Sequence, residues 1–444
     1  MSLKVLERAK SGDRVLLMGN EAIARGAIEA GVRVAAGYPG TPSSEIIDSL
    51  GEVADLYGMY VEWSTNEKVA FEVALAGSYC WLRSIAAMKH VGVNVAHDTV
   101  MTASHIGARG GLMLISCDDP GAWSSQNEQD NRYIAMQAYM PVFEPYNPDV
   151  AKDMVVKGLD FSEEFHHPVM LRSTTRVSHA VSDVLLGEVR RFDNKPYWEK
   201  KPELMVYDSA GAKRNRVEMV KRFERIKEAV NDHSYNTLSM PDGGRLGIVA
   251  SGLAYAYVKE SLSHLNLEDK LAVLKLGITY PLPNRLLEEM LGGVDEILVV
   301  EELEPIAETQ IKALASDLGV KVKVRGKDLI PLIGELTLHA VMNGIAKFAG
   351  VPSPIAESIP QEVYELARSK PPMRPPVFCP GCPHRASFYS IRRVANMVSR
   401  NPKRYGLDDI SEAEAIYIQI PNMQAGYLSL FFYLLPITCR GRPS

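Results

Sequence analysis

The chain has 444 residues, enough for two or three domains with separate cores. It is 46% hydrophobic and 23% charged, the balance of a soluble globular protein, and a net charge of −5 offers no basic face to nucleic acid. No run of about eighteen apolar residues is present to span a membrane, the N-terminus lacks a signal-peptide core, and the sparse cysteines fit a reducing cytoplasm.

Residues 1–185 alternate short apolar runs with longer amphipathic stretches. Strands are expected at "VRVAAG" (32–37), "YVEWS" (60–64), "SIAAMKH" (84–90), "GLMLIS" (111–116), "PVFEP" (141–145) and "PVMLRS" (168–173). Such runs predict a parallel sheet covered on both faces, with ligands gathering where strands end and helices begin. Residues 186–240 read as a charged connector carrying a solvated helix at "KRNRVEMVKRFERIKEAV". A second, smaller α/β domain is expected over 241–350, with strands at "RLGIVAS" (245–251), "LAVLKLG" (271–277), "EILVVEE" (296–302) and "VKVKVRG" (320–326). Residues 351–376 read as a proline-rich linker, and 377–444 as a third segment.

Several turns carry groups able to do chemistry. In "GYPGTPSSEI" (37–46), Pro42 suits the first helical position and Thr41 the N-cap. Free N–H groups at such a helix start, with the hydroxyls of Thr41, Ser43 and Ser44, would receive a carboxylate or phosphate. Neither a Gly-x-Gly-x-x-Gly spacing nor a Walker lysine is present. In "EWSTNEKVAFEVALAG" (62–77), Ser64 and Glu67 have capping-box spacing. Glu67 therefore reads either as a cap partner or as a half-buried carboxyl for proton transfer.

The stretch "SCDDPGAWSSQNEQDNRY" (116–133) is a polar loop longer than a crossover needs, which favours function over plain solvent exposure. "MKHVGVNVAHD" (88–98) sets His90 and His97 near a strand end without metal-like partners. Arg109 and Arg172 could each pair with a carboxylate, although surface exposure is the commoner outcome for arginine. Cys80 and Cys117 read as small buried hydrophobes. "CPGCPHR" (379–385) spaces Cys379, Cys382 and His384 for zinc, an iron–sulfur cluster or a cycling dithiol, and each metal needs a further ligand.

Together "YPGTPSSEI", "STNEKVAFEVALAGS", "MKHVGVNVA", "DDPGAWSSQNEQDNR", "LKLGITYPLP" and "FCPGCPHR" follow one another as in the alpha subunits of indolepyruvate ferredoxin oxidoreductases. The chain resembles that family over about residues 10–415. The resemblance implies an α/β fold: a parallel-sheet domain of the thiamine diphosphate pyrimidine-binding type, then a transketolase C-terminal-like α/β domain, then the start of a diphosphate-binding domain. It implies oxidative decarboxylation of aryl 2-oxoacids to aryl-acyl-CoA, with thiamine diphosphate, Mg²⁺ and [4Fe–4S] clusters as cofactors and ferredoxin as acceptor. The implied partners are a smaller beta subunit, ferredoxin, CoA and the aryl 2-oxoacid, in a cytoplasmic hetero-oligomer with no part for nucleic acid or membrane.

By the same resemblance Glu67 matches the catalytic glutamate that contacts N1′ of the cofactor's pyrimidine. Asn94 falls in a cofactor-binding segment, and Thr41 and Ser43 in the substrate-side turn. Cys379 and Cys382 match half of a cluster-ligand set. The departure comes after "SEAEAIYI", where the family continues to an "IGCYTLG"-like segment, a Gly-Asp-Gly…Asn signature for magnesium and diphosphate, and closely spaced cysteines. Here the sequence reads "QIPNMQAGYLSLFFYLLPITCRGRPS". The expectation is a truncated product, its truncation either natural or the result of a frameshift, with negligible activity alone and a metal-free cysteine pair. The alternatives are a pyruvate- or 2-oxoglutarate-type subunit, and a zinc-binding scaffold around Cys379, Cys382 and His384.

Overall fold

The computed structural model describes residues 10–192, 195–201, 208–354, 360–370 and 384–405. Two units divide the chain, residues 1–355 and 356–444. In the first, β2 (Val34–Gly37), β3 (Tyr60–Trp63), β4 (Ser84–Lys89), β5 (Leu112–Asp118), β6 (Val142–Phe143) and β7 (Val169–Thr174) run parallel in the order β6-β7-β5-β4-β2-β3. These are the six strands expected from the apolar runs. Each is flanked by helices, so both faces are covered, and side chains of period two divide between them. Ile85, Met113, Ile115 and Leu171 enter one core with Ile23 and Leu50, while Ala86, Met88, Leu114 and Met170 enter the other with Phe71 and Val100.

A second sheet has the order β14-β13-β10-β11-β9, built from β9 (Thr237–Ser239), β10 (Leu246–Ser251), β11 (Ala272–Leu276), β13 (Glu296–Val300) and β14 (Lys323–Arg325). Its pairs are parallel except β9 on β11. The two sheets are joined in an unexpected way. β12 (Ile278–Tyr280), one residue beyond β11, leaves the second sheet and pairs antiparallel with β6 at the edge of the first. A small ribbon, β1 (Arg14–Met18) against β8 (Val181–Leu185), was also invisible to the apolar pattern because its strands are half exposed.

The helix Ser209–Asn231 corrects the solvated reading of the connector. Its Met219, Phe223, Ile226 and Val230 are buried, and Phe223, Ile226 and Val230 complete the first core. Arg222 donates to the carbonyls of Ser104 and His105, which end the helix His90–Ile106. Its charge thus caps a helix C-terminus instead of meeting water.

In the second unit the described residues form the helices Gln361–Ser369 and His384–Arg400 and a 3₁₀ turn, Pro402–Tyr405. Cys379, Cys382 and the tail beyond residue 405 lie outside the described residues. Among the described residues no helix is long and apolar enough to cross a membrane.

Candidate active site

Parallel pairing makes β2, β3, β4 and β5 all release the chain at one edge of the first sheet. Four turns therefore meet there: 38–43, 64–66, the start of the helix His90–Ile106, and the loop 119–131. This is the edge where open α/β sheets collect ligands.

The first turn departs from expectation. The Thr41–Pro42 peptide is cis and the helix begins at Ser44, so Ser43, not Thr41, holds the N-cap position. Ser43 is buried and its hydroxyl donates to Gly40 O at 2.7 Å, whereas Thr41 is exposed. The two residues expected to share a substrate contact therefore sit differently: Thr41 keeps an open hydroxyl, and the Ser43 proton is already committed. Beside this turn stands Lys89, the last residue of β4, only 8% exposed. Its ammonium donates to Ser124 O at 2.7 Å and lies 3.9 Å from Asp119. Burial lowers its pKa, and Asp119 opposes the shift only in part. The sequence did carry a signal for Lys89, as the one charged residue inside the apolar run "SIAAMKH".

The second turn also corrects a cap. Asn66 is the N-cap of the helix Glu67–Tyr79, accepting the Val69 N–H at 3.0 Å, while Ser64 donates to Glu62. No Ser64–Glu67 capping box forms, which frees Glu67 from the structural role weighed for it. The Glu67 carboxyl is half buried and accepts only its own backbone N–H among the described residues, and burial raises its pKa above the ordinary carboxylate value. Gly92 lies directly against it. A Cβ at Gly92 would fall 2.5 Å from Glu67 Cγ and 2.7 Å from Oε1, closer than any side chain tolerates. Glycine on the neighbouring helix is what makes room for this carboxyl.

The polar loop closes over the same edge. Gln129 exchanges two 2.9 Å hydrogen bonds with the Asn94 amide and also donates to His90 O. Asn131 donates to His90 O and Ser116, and Asp119 accepts from Ser124, Ser125 and Thr175. Asn94 is thus on the helix that carries Gly92, with both amide ends held by Gln129. The loop's root is a buried charge cluster. Arg132, 0% exposed, pairs with Asp130 at 2.6 Å and Glu301 at 2.7 Å, and Arg172 pairs with Asp118 at 2.6 Å and Glu144 at 3.1 Å. Arg172 is therefore fully buried, against the expectation of a surface arginine, because its place at the centre of β7 aims it at acids on β5 and β6's turn. Arg109 stacks over Trp81, with 5.9 Å between the guanidinium and the ring. Cys117 is buried as expected, but Cys80 is only half buried.

Among the described residues no group of three or more His, Cys, Asp or Glu side chains gathers to hold a metal ion. The Cys379–Cys382 pair expected to bind a cluster falls outside those residues.

Comparison with known proteins places this edge in context. Residues 25–236 match the family model described as pyruvate flavodoxin/ferredoxin oxidoreductase, thiamine diphosphate-binding, and residues 237–369 match the indolepyruvate oxidoreductase domain. The chain is 45% identical over 405 residues to indolepyruvate oxidoreductase subunit IorA of Pyrococcus abyssi, covering 89% of this chain and 62% of that protein. It is 46% identical over 397 residues to the IorA subunit of Archaeoglobus fulgidus, covering 88% and 62%. The chain thus spans about three-fifths of the length of these relatives. A solved 2-oxoglutarate:ferredoxin oxidoreductase from Magnetococcus marinus shares the fold, with a TM-score of 0.62 at 15% identity over 76% of this chain and 65% of that one. The fold is the α/β type of thiamine diphosphate enzymes with parallel sheets, and the chain belongs to the 2-oxoacid:ferredoxin oxidoreductase family, among the IorA-type subunits of indolepyruvate oxidoreductases.

Proposed function

We propose that this chain builds the pyrimidine side of a thiamine diphosphate site in an oxidoreductase acting on aryl 2-oxoacids of the indolepyruvate type. In that reaction a 2-oxoacid and CoA give aryl-acyl-CoA and CO₂, and two electrons pass to ferredoxin. The observation that carries the reading is Glu67: a half-buried carboxyl with a raised pKa, no partner but its own N–H among the described residues, and a glycine cleared against it. Those features fit a group held for a ring nitrogen and do not fit a cap or an ion pair.

Thiamine diphosphate, when bound, supplies the nucleophile for the 2-oxo carbon and the electron sink for loss of CO₂. The chain's own residues do the rest. Burial raises the Glu67 pKa, which favours a proton on its carboxyl for the ring nitrogen. Asn94, fixed by Gln129, lines the same helix as Gly92 and serves the cofactor. The exposed Thr41 hydroxyl and the Lys89 ammonium flank the place for the oxoacid carboxylate, with Ser43 bracing the turn through Gly40. The loop 119–131 covers the start of the helix His90–Ile106 through Gln129 and Asn131.

Mg²⁺, [4Fe–4S] clusters and CoA are assigned to other segments and to partners, chiefly a smaller beta subunit within a cytoplasmic hetero-oligomer, with Cys379 and Cys382 as proposed cluster ligands. Glu67→Gln tests the reading in the enzyme assembled with that subunit. Indolepyruvate-dependent ferredoxin reduction should fall roughly 10²–10⁴-fold, with thiamine diphosphate affinity by calorimetry changing less than about tenfold. A fully active variant sinks the proposal. The isolated chain should bind thiamine diphosphate and Mg²⁺ more weakly than micromolar, and a micromolar Kd overturns that part.

A further inference from the structure

A cavity of about 240 Å³ lies at the carboxyl ends of β10 and β11, between the helices Pro148–Phe165 and Gly252–His264. It is lined by Tyr146, Met154, Ser234, Tyr255, Lys275 and Leu276, none of which belongs to the Glu67 edge. Its polar groups are conspicuously unspent. Lys275 makes no ion pair among the described residues, and its ammonium sits 5.8 Å from the centre of the Tyr255 ring. The hydroxyls of Tyr146, Tyr255 and Ser234 make no hydrogen bond to another described residue. One cation and two tyrosines thus line a single small space, with the exposed Ser234 at its rim.

The apolar part of the lining is equally specific. Tyr146 and Tyr255 form an edge-to-face pair, 5.2 Å between centres and 69° between planes, and Met154 and Leu276 supply the floor. Gly277 keeps this wall thin: a Cβ there would meet Tyr235 Cβ at 2.7 Å and Met154 Cε at 3.1 Å. Glu144 stands beside Gly252 with its Oε1 held by Arg172 at 3.1 Å and Arg132 at 3.5 Å, and burial and then Asp149, which accepts the Leu185 N–H, raise the Tyr146 pKa. Burial lowers the Lys275 pKa and Lys259 adds to the shift, so an incoming anion would relieve a cation that is both desolvated and repelled.

From this geometry we infer that the cavity is a second binding site, for a small single-ring aromatic carboxylate, with the carboxylate on Lys275 and the ring against Tyr146, Tyr255 and Met154. The volume sets the size, being below the roughly 300–1,000 Å³ of sites for larger ligands. A bare phosphate would leave the aromatic and methionine lining unused. An uncharged ring would leave the ammonium without a partner. The inference stands apart from the role of Glu67, because no residue is shared between the two places.

Phenylacetate is the probe, titrated by calorimetry into the wild-type chain and three variants. Binding is expected for wild type and for Glu67→Gln alike, weakened at least tenfold in Lys275→Met and several-fold in Tyr255→Phe. Inorganic phosphate should compete poorly. Should Lys275→Met fail to fold, amine modification of the wild-type chain, read by mass spectrometry, gives the same answer: phenylacetate should protect Lys275 and phosphate should not. Equal binding by wild type and Lys275→Met, loss of binding in Glu67→Gln, protection by phosphate as strong as by phenylacetate, or no binding at all would each overturn the inference.

Discussion

Glu67 and Glu301 are both buried or half-buried carboxyls beside a helix start, and burial raises the pKa of each. Their surroundings are opposite. Glu301 accepts the N–H groups of Ala307 and Glu308 at 3.0 Å and pairs with Arg132 at 2.7 Å, so both its oxygens are partnered inside the protein. Glu67 has the cost of burial without those returns. The acid cluster around Arg132 and Arg172 is nearly closed on itself, with Arg172 Nη2 left unpartnered among the described residues, and, against the burial that alone would raise it, the two guanidinium groups hold Asp130 at about 2. The Glu67 edge is unfinished, and an unfinished polar group in a prepared place is what a binding site looks like before its ligand arrives.

The sharpest way to test this contrast is to break the nearly closed side. Arg132→Met leaves Asp130 and Glu301 buried without their cation, and should cost about 3–5 kcal/mol in urea unfolding. A loss below about 1 kcal/mol would show that the cluster is not holding the loop. Gly92→Ala attacks the other side. Helix propensity favours the alanine by about 1 kcal/mol, so stability should hold or rise slightly, yet its Cβ displaces the Glu67 carboxyl. Activity of the assembled enzyme should drop up to about 10²-fold, and unchanged turnover would mean that the Glu67 position is not critical.

Glu302 offers the smallest effect and a pH signature. Burial lifts its pKa to about 7, against the Leu336 N–H, and its Oε2 has no partner among the described residues. Between pH 4.5 and 7 the folded chain binds more protons here than the unfolded chain, so stability falls as pH rises through that window. Glu302→Gln should flatten this fall, gaining on the order of 1–3 kcal/mol over wild type at pH 8 relative to pH 4. Parallel stability profiles for the two proteins would contradict it.

The strands of both sheets were legible because buried parallel strands are continuous apolar runs, and "SIAAMKH" or "GLMLIS" has no competing reading. The pattern failed where exposure dilutes it, at β1, β8 and β9, and at β12, which is buried but only three residues long. Helix starts were misplaced by two residues in both key turns. Thr41 and Ser64 are good caps by residue type, but Ser43 and Asn66 stand immediately before the helices, and the backbone decides which hydroxyl or amide is in range. Arg172 does pair with a carboxylate, Asp118, but it is buried where residue preference says surface, because its position in a central strand leaves it no route to water. Glu67 was singled out from its motif alone. That its carboxyl meets no partner but its own N–H among the described residues, and that Gly92 leaves it room, needed the packing of two helices that no spacing encodes.

The pairing of β12 with β6 has a consequence for how this polypeptide can be divided. The motif-level boundary near residue 240 invites a cut into two pieces, each holding most of a sheet. Such a cut would strip Ile278–Tyr280 from the edge of the first sheet, exposing the backbone of Val142 and Phe143 to any other strand in solution. The amino-terminal piece should therefore aggregate when made alone and recover when the remainder is supplied in trans. The stitch is three residues long, yet it makes the two sheets inherit, express and degrade as one.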